Sequence, residues 1–307
     1  MSHPAAASAR PRVAPALGIG VGVVAISAAS IFVRLAQAGG APSLTIAALR
    51  LAVAALVLLP PALARSRAEL ASLGARDLPI VLLSGAFLGA HFGTWITSLQ
   101  YTSVASSVIL VTLSPLFVAA GSAVFLHEKL NRRTATGMGM AVLGGIVIAA
   151  GDVNGAVADA PNPALGNLLA LVGAACIAAH FLIGRRLRRK LSLLAYISLV
   201  YSAAAIVLLA AVGVAGAPLI GFDPQSYLWI VLLALLPQLV GHTSFNWALG
   251  FLPATYATIP VLGEPIGSVI LAFILLGEGL SALTLLGGAL SLSGIALMTV
   301  SRTAGDR

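Results

Sequence analysis

The chain has 307 residues, of which 59% are hydrophobic and only 8% charged, where soluble domains carry about 25% charged residues. With a mean hydropathy of +1.05, that composition excludes an ordinary soluble domain and defines a polytopic membrane protein. The net charge of +8 does not point to nucleic acid, because the Arg and Lys residues sit in short stretches between apolar runs and form no basic patch interleaved with aromatics.

Residues 1–13 form a short Ala/Ser/Pro-rich tail carrying Arg10 and Arg12. With no convincing cleavage site after it, the first apolar run is read as a retained span. A helix rises 1.5 Å per residue and the hydrocarbon core is about 30 Å thick, so roughly 20 apolar residues make one crossing. The runs predict an all-α protein of ten transmembrane helices, at approximately 14–35, 44–63, 79–99, 104–126, 134–151, 164–184, 192–214, 226–248, 254–277 and 282–301. Residues 152–163, rich in Gly, Ala, Pro, Asp and Asn, form a linker at the midpoint. It divides a first repeat (14–151) from a second (164–301), and residues 302–307 form a tail. The single cysteine, Cys176, lies inside an apolar run and offers neither a disulfide framework nor a cysteine pair for a metal.

Orientation follows from the cations. With the N-terminus inside, fifteen Arg and Lys residues fall in cytoplasmic segments, only Arg34 lies outside, and Arg50 is left within a span. Both termini are therefore expected in the cytoplasm and the linker outside. The cluster from Arg185 to Lys190 reads as a topology anchor at the headgroups or as a site for anionic lipid.

A shift of 150 residues lays Pro115 on Pro265, Glu128 on Glu278, Gly137 on Gly287 and Gly144 on Gly294. Five spans per half is an odd number, so the second half enters the membrane from the opposite side. This is an inverted-topology repeat, a design suited to carriers that open one central site to alternate sides.

The candidate site residues are the polar groups inside spans. His91, Trp95 and Ser98 follow i, i+4, i+7 spacing on one face of the third span; Gln238, His242 and Phe245 or Asn246 do so on the eighth. Two polar-aromatic stripes in apolar helices point to a shared cavity or to interhelical hydrogen bonds. Tyr256 and Glu264 lie about two turns apart on the ninth span, and Pro260 and Pro265 free carbonyls or bend it. Glu264 can attract an ammonium group or cycle a proton; the alternative is a carboxylate tied to Arg50 or to a histidine. Arg50 either binds a carboxylate or braces its helix. Ser114 and Ser107, beside Pro115, offer hydroxyls near a hinge or bond their own backbone, and His180 faces the cavity or the interface. Tyr196 and Tyr201 read as belt or packing residues, Glu128 and Glu278 as anchors of local loops, and the glycines as sites of close helix packing. Gly18-Ile19-Gly20-Val21-Gly22 has no strand before it and carries no nucleotide-binding meaning.

The Arg50 helix, the stretch from Ser114-Pro115-Leu116 to Glu128-Lys129-Leu130, and the segment from Pro260 through Gly263-Glu264-Pro265 to Glu278 together resemble the EamA-type members of the drug/metabolite transporter superfamily, and more narrowly their amino-acid exporter branch. The resemblance implies ten helices in two five-helix repeats around a central substrate cavity. The first span departs from it, with Ser27-Ala28-Ala29-Ser30 where the family often has Trp-Gly-Ser.

The expected function is a secondary carrier in a bacterial plasma membrane that exports a small amphiphilic metabolite, an amino acid in the narrower reading, by alternating access. The alternatives are a carrier of drugs or other metabolites, an uptake exchanger, and a channel or lipid-moving scaffold. No phosphate-binding loop of the Gly-x-x-x-x-Gly-Lys-Ser/Thr type occurs. No span contains an aspartate, and His127-Glu128 is followed by Asn131 where a zinc motif needs histidine. Neither an enzyme activity nor a cofactor is expected. The expected partners are the lipid bilayer and the substrate; a monomer suffices, with an oligomer left open.

Overall fold

A computed structural model describes residues 13–126, 132–151, 160–250 and 263–303. Hydrocarbon gives backbone N–H and C=O groups no partner, so an apolar chain closes them within helices. Every regular element among the described residues is helical. Eight helices are long and apolar enough to cross a bilayer, and two shorter apolar helices follow them. The all-α, polytopic architecture is thus as expected, while the start of the ninth predicted span and residues 152–159 of the linker lie outside the described residues.

The first span consists of α1 (Val13–Ser27) and α2 (Ala29–Ala38), the second of α3 (Ser43–Arg65), with a short α4 (Arg67–Ala71) after it. Then come α5 (Leu78–Ser98), a fourth span in two pieces, α6 (Val104–Val111) and α7 (Ser114–Leu126), and α8 (Arg132–Gly151). The second half holds α9 (Pro163–Leu187), α10 (Leu193–Ala215), an eighth span of α11 (Pro224–Leu233), a π-helical stretch (Ala234–His242) and α12 (Thr243–Ala248), then α13 (Gly263–Leu276) and α14 (Ala282–Thr303). Local chemistry sets the ends. Asn162 and Asp223 accept N–H groups of Leu165 (3.1 Å) and Gln225 (2.7 Å), each ahead of a proline in the first turn. Gly216, at φ +62°, ends α10 in the left-handed region that costs glycine least.

Among the described residues three spans are irregular in mid-course. At Ala28 the break frees the Ser27 carbonyl, which accepts a 2.9 Å hydrogen bond from Ser268 Oγ of α13. In the fourth span Pro115 has no N–H to give; α6 stops at Val111, and Thr112 Oγ1 folds back onto the Val108 carbonyl at 2.6 Å. In the eighth span Pro237 lies within the π-helical stretch, whose wider turns tolerate the missing donor.

Glycines set the closest crossing. A Cβ on Gly137 would fall 2.4 Å from the Gly294 carbonyl oxygen, and one on Gly144 2.4 Å from that of Gly287. The earlier glycine of α8 meets the later one of α14, so the two helices run antiparallel at near backbone contact. Elsewhere α5 packs on α9 and α10, α3 on α10, α1 and α2 on the eighth span, α6 and α7 on α9, and α13 on α1 and α2. Side chains such as Val24, Leu56, Ile206 and Phe273 stay exposed, as a lipid-facing surface requires.

Polar contacts tie the helix ends. At one end Glu69 of α4 accepts from the backbone and hydroxyl of Ser192, and Lys190 pairs with Asp77 at 2.8 Å; the hydrogen bond from Lys190 holds the Asp77 carboxyl below its usual range. At the other, Arg34 of α2 pairs with Glu278 at 3.1 Å, and Glu278 also accepts the Val104 N–H at 2.9 Å. The expectation that Glu278 anchors a local loop is corrected here: its partners are remote in sequence and join three spans. Glu128 lies outside the described residues.

Gly144→Leu is expected to force α8 from α14 and destabilise the protein by about 1–3 kcal/mol, the usual cost of overpacking. Gly139→Leu, on the same helix with nothing within 4 Å, is the control. Thermal unfolding in detergent should separate the two.

Candidate functional site

Five of the ten expected side chains meet around one cavity. His91 and Trp95 come from α5, Ser114 from the start of α7, His242 from the end of the π-helical stretch and Glu264 from the first turn of α13. Ile26, Val111, Ile177, Phe181 and Phe245 complete the wall. The cavity encloses about 400 Å³ including its open mouth, but the interior is only water-sized. The His91 and Trp95 rings stack nearly parallel, 6.2 Å between centroids at 4°. His91 Nδ1 lies 2.9 Å from the Gly173 carbonyl; a carbonyl only accepts, so that nitrogen carries the proton. His242 meets Phe92 edge-on at 4.9 Å. Trp95 Nε1 is buried with no hydrogen-bond partner among the described residues. Glu264 is buried too, yet takes part in neither of the two ion pairs found among the described residues. Glu264 thus makes no close ion pair with Arg50 or a histidine, although Arg50 lies within electrostatic reach of it.

The other expected residues are placed differently. Ser98 donates to the Trp95 carbonyl and shares a 2.6 Å hydrogen bond with Ser107, so it is consumed at the junction of α5 and α6. Gln238 Oε1 accepts from Arg50 Nε at 2.9 Å. His180 Nδ1 lies 3.0 Å from Ser84 Oγ and its Nε2 3.3 Å from Asn246 Oδ1, while Asn246 Nδ2 donates to the Tyr201 hydroxyl at 3.2 Å. Ser84, His180, Asn246 and Tyr201 form a buried hydrogen-bonded network that does not line the cavity, whereas Gln238 keeps its Nε2 without a partner among the described residues. Of the two candidates after His242, Phe245 takes the wall and Asn246 the network: an amide with partners on both sides stays with them, and a ring suits the apolar side. Tyr196 and Tyr201 are fully buried and belong to this network, not to the interface. Tyr256 lies outside the described residues. The wall residues missed in the sequence, Ile26, Val111, Ile177 and Phe181, are apolar in an apolar chain and carry no signal to separate them from lipid-facing neighbours.

A bundle of apolar helices long enough to cross a bilayer, with ionisable and polar side chains around a buried cavity, marks a polytopic membrane protein with a candidate functional site. The model of the EamA-like transporter family matches the chain twice, over residues 15–150 and 164–300. The chain belongs to that family, within the drug/metabolite transporter superfamily, and its role is transport, not enzymatic turnover. Among similar proteins, a "Probable terminal-alkyne amino-acid exporter" of Streptantibioticus cattleyicolor is 30% identical over 269 residues, 86% of this chain and 84% of that protein. The "Uncharacterized transporter YdfC" of Bacillus subtilis is 26% identical over 222 residues, 72% of this chain and 71% of the other. A third, an "Uncharacterized transporter" of Archaeoglobus fulgidus, is 26% identical over 242 residues, 74% and 79% of the two chains. One crystal structure shares the fold with a TM-score of 0.66 at 20% identity, covering 96% of this chain and all 100% of that one.

Asn246→Leu should leave the buried His180 and Tyr201 groups short of partners, at a cost of about 1–3 kcal/mol. A lowered melting temperature in detergent, larger than that of Ser98→Ala, is the expected reading.

Proposed function

We propose that this transporter exports amino acids across the bacterial plasma membrane by alternating access, using the cavity bounded by His91, Trp95, Ser114, His242 and Glu264. The observation that carries the reading is a carboxylate, Glu264, buried without an ion-pair partner among the described residues in a cavity whose lining also includes Ile26, Val111, Ile177, Phe181 and Phe245. A carboxylate there suits a substrate ammonium group, and Phe181, Phe245 and Ile177 suit an uncharged side chain. The printed name of the Streptantibioticus relative, an amino-acid exporter, supports the same substrate class.

Alternating access rests on two inverted halves, 14–151 and 164–301, of five spans each. Its support is geometric. The shift that lays Gly137 on Gly287 and Gly144 on Gly294 is the one under which the α8–α14 crossing maps onto itself, because Gly137 meets Gly294 and Gly144 meets Gly287. A helix and its counterpart running antiparallel is what a two-fold axis in the membrane plane requires. Exchanging the halves also turns the α5–α9 pair into the pair of the eighth and first spans. The water-sized interior means that substrate enters only when the halves move apart at one face. With both termini in the cytoplasm, the Arg34–Glu278–Val104 contact closes the outer face. A recess of about 1870 Å³ lined by Arg34, Gln100 and Glu278 lies there.

In proteoliposomes with no ATP, flux of an amino acid from a panel including L-phenylalanine, L-leucine and the terminal-alkyne amino acid L-propargylglycine should saturate with concentration. Flux that rises linearly without limit rejects a carrier, and movement of other metabolites alone rejects the amino-acid reading. Glu264→Gln should cut amino-acid flux about tenfold or more, as loss of a charged hydrogen-bond partner does, and change its pH profile; unchanged flux over a wide pH range would assign Glu264 to packing.

A further inference from the structure

Arg50 is fully buried in α3 and takes part in neither of the two ion pairs found among the described residues. Its Nε donates to Gln238 and its guanidinium carbon lies 3.9 Å from the centroid of the Phe92 ring, but Nη1 and Nη2 have no hydrogen-bond partner among the described residues. Four N–H donors on a buried cation are thus left empty, although such groups are ordinarily paired and hydrogen-bonded. A ring face compensates the charge in part and supplies no acceptor. The same ring connects Arg50 to the cavity: Phe92 is also met edge-on by His242, which lines the wall with His91 and Glu264. Arg50 and Glu264 lie within electrostatic reach of each other without forming an ion pair.

We infer that the Nη1 and Nη2 groups of Arg50 are the carboxylate subsite of the transport cavity, exposed when the Phe92–His242 screen shifts, so that the carrier selects substrates bearing a free carboxylate. This rests on the reading of the cavity as a transport site and adds the group that reads the acid end of the substrate. The planar fork of guanidinium donors matches a carboxylate with two parallel hydrogen bonds. A zwitterion brings both charges that the empty site lacks: its carboxylate for Arg50 and its ammonium for Glu264. Gln238 holds Nε from behind and fixes the fork's direction.

The test is uptake into proteoliposomes of four labelled probes: L-phenylalanine, its amide, phenethylamine and 3-phenylpropanoate. Wild type should move phenylalanine with a kcat/KM about 10- to 100-fold above that of the amide, the range expected for a hydrogen bond to a charged group. Arg50→Gln should raise KM for phenylalanine and erase the preference over the amide. Arg50→Lys should keep the preference in weakened form, because a point charge lacks the fork. Wild type that takes the amide or phenethylamine as well as the acid overturns the inference, as does a folded Arg50→Gln that keeps the acid's KM and selectivity. If Arg50→Gln does not fold, wild-type selectivity and Arg50→Lys decide alone. Should phenylalanine stay put while 3-phenylpropanoate moves in an Arg50-dependent way, the carboxylate subsite stands and the amino-acid reading falls. Acceptance of phenylalanine and its amide alike leaves the transport reading and removes the subsite.

Discussion

The absence of hydrogen-bonding solvent in hydrocarbon governs this structure, because each interruption of a helix there must be closed by the protein or opened onto a cavity. Three spans are interrupted within the described residues, and all three interruptions adjoin the same space. Ile26 sits just before the break at Ala28, Val111 and Ser114 flank the break between α6 and α7, and His242 ends the π-helical stretch. The regular helices α5 and α9 contribute flat faces, His91 and Trp95 from one, Ile177 and Phe181 from the other. Irregular backbone thus marks the cavity as reliably as polar side chains do. The closures are made across helices: Ser268 of α13 caps the carbonyl that the first span frees, binding the two walls at that level.

Buried polar groups in the bundle divide into two populations. The first is saturated: Ser84, His180, Asn246 and Tyr201 hold one another, and Ser98 holds Ser107. Such networks fix helix register and gain nothing from a ligand. The second lacks partners among the described residues: Trp95 Nε1 and the Glu264 carboxylate at the cavity wall, the outer nitrogens of Arg50 and Gln238 Nε2 near one another, and Ser30 Oγ and Arg34 Nε elsewhere in the bundle. A binding protein in lipid has to keep its recognition groups incomplete until substrate arrives, since partners within the protein would compete with the ligand. Burial alone therefore does not single out the proposed transport residues; in the proposed reading they are the groups that combine an open valence with a place at the cavity.

The helical architecture was legible because period and length in hydrocarbon leave few choices. His91 and Trp95 were found through their spacing, and Glu264 because a lone carboxylate inside a span stands out. What the sequence hid has a physical reason in each case. Ser98 shares the stripe with His91, but its hydroxyl is captured by Ser107 from across a turn, a partner that spacing on one helix cannot reveal. Asn246 and Phe245 are adjacent, and only the position of Tyr201 decides which of them turns away from the cavity. The bond between Arg34 and Glu278 spans 244 residues of chain, and neither end carries a pattern that names the other. The π-helical stretch follows from Pro237 only once neighbouring helices hold the span in place; an isolated proline predicts a kink equally well.

In the proposed alternating-access cycle the symmetry of the packing assigns different tasks to different helices. A pair in which each helix is the counterpart of the other, α8 with α14 and α3 with α10, is its own image when the halves exchange conformations, so it need not change. The α8–α14 contact is also the tightest, glycine against carbonyl in both directions, and suits a fixed axis. Pairs that are images of each other, α5 with α9 and the eighth span with the first, must trade geometries, and they carry the cavity walls. One of them uses regular helices and the other a break and a π-helical stretch, so the resting structure is already asymmetric. The irregular pair holds the softer backbone, and in this reading it is the wall that yields first when substrate enters.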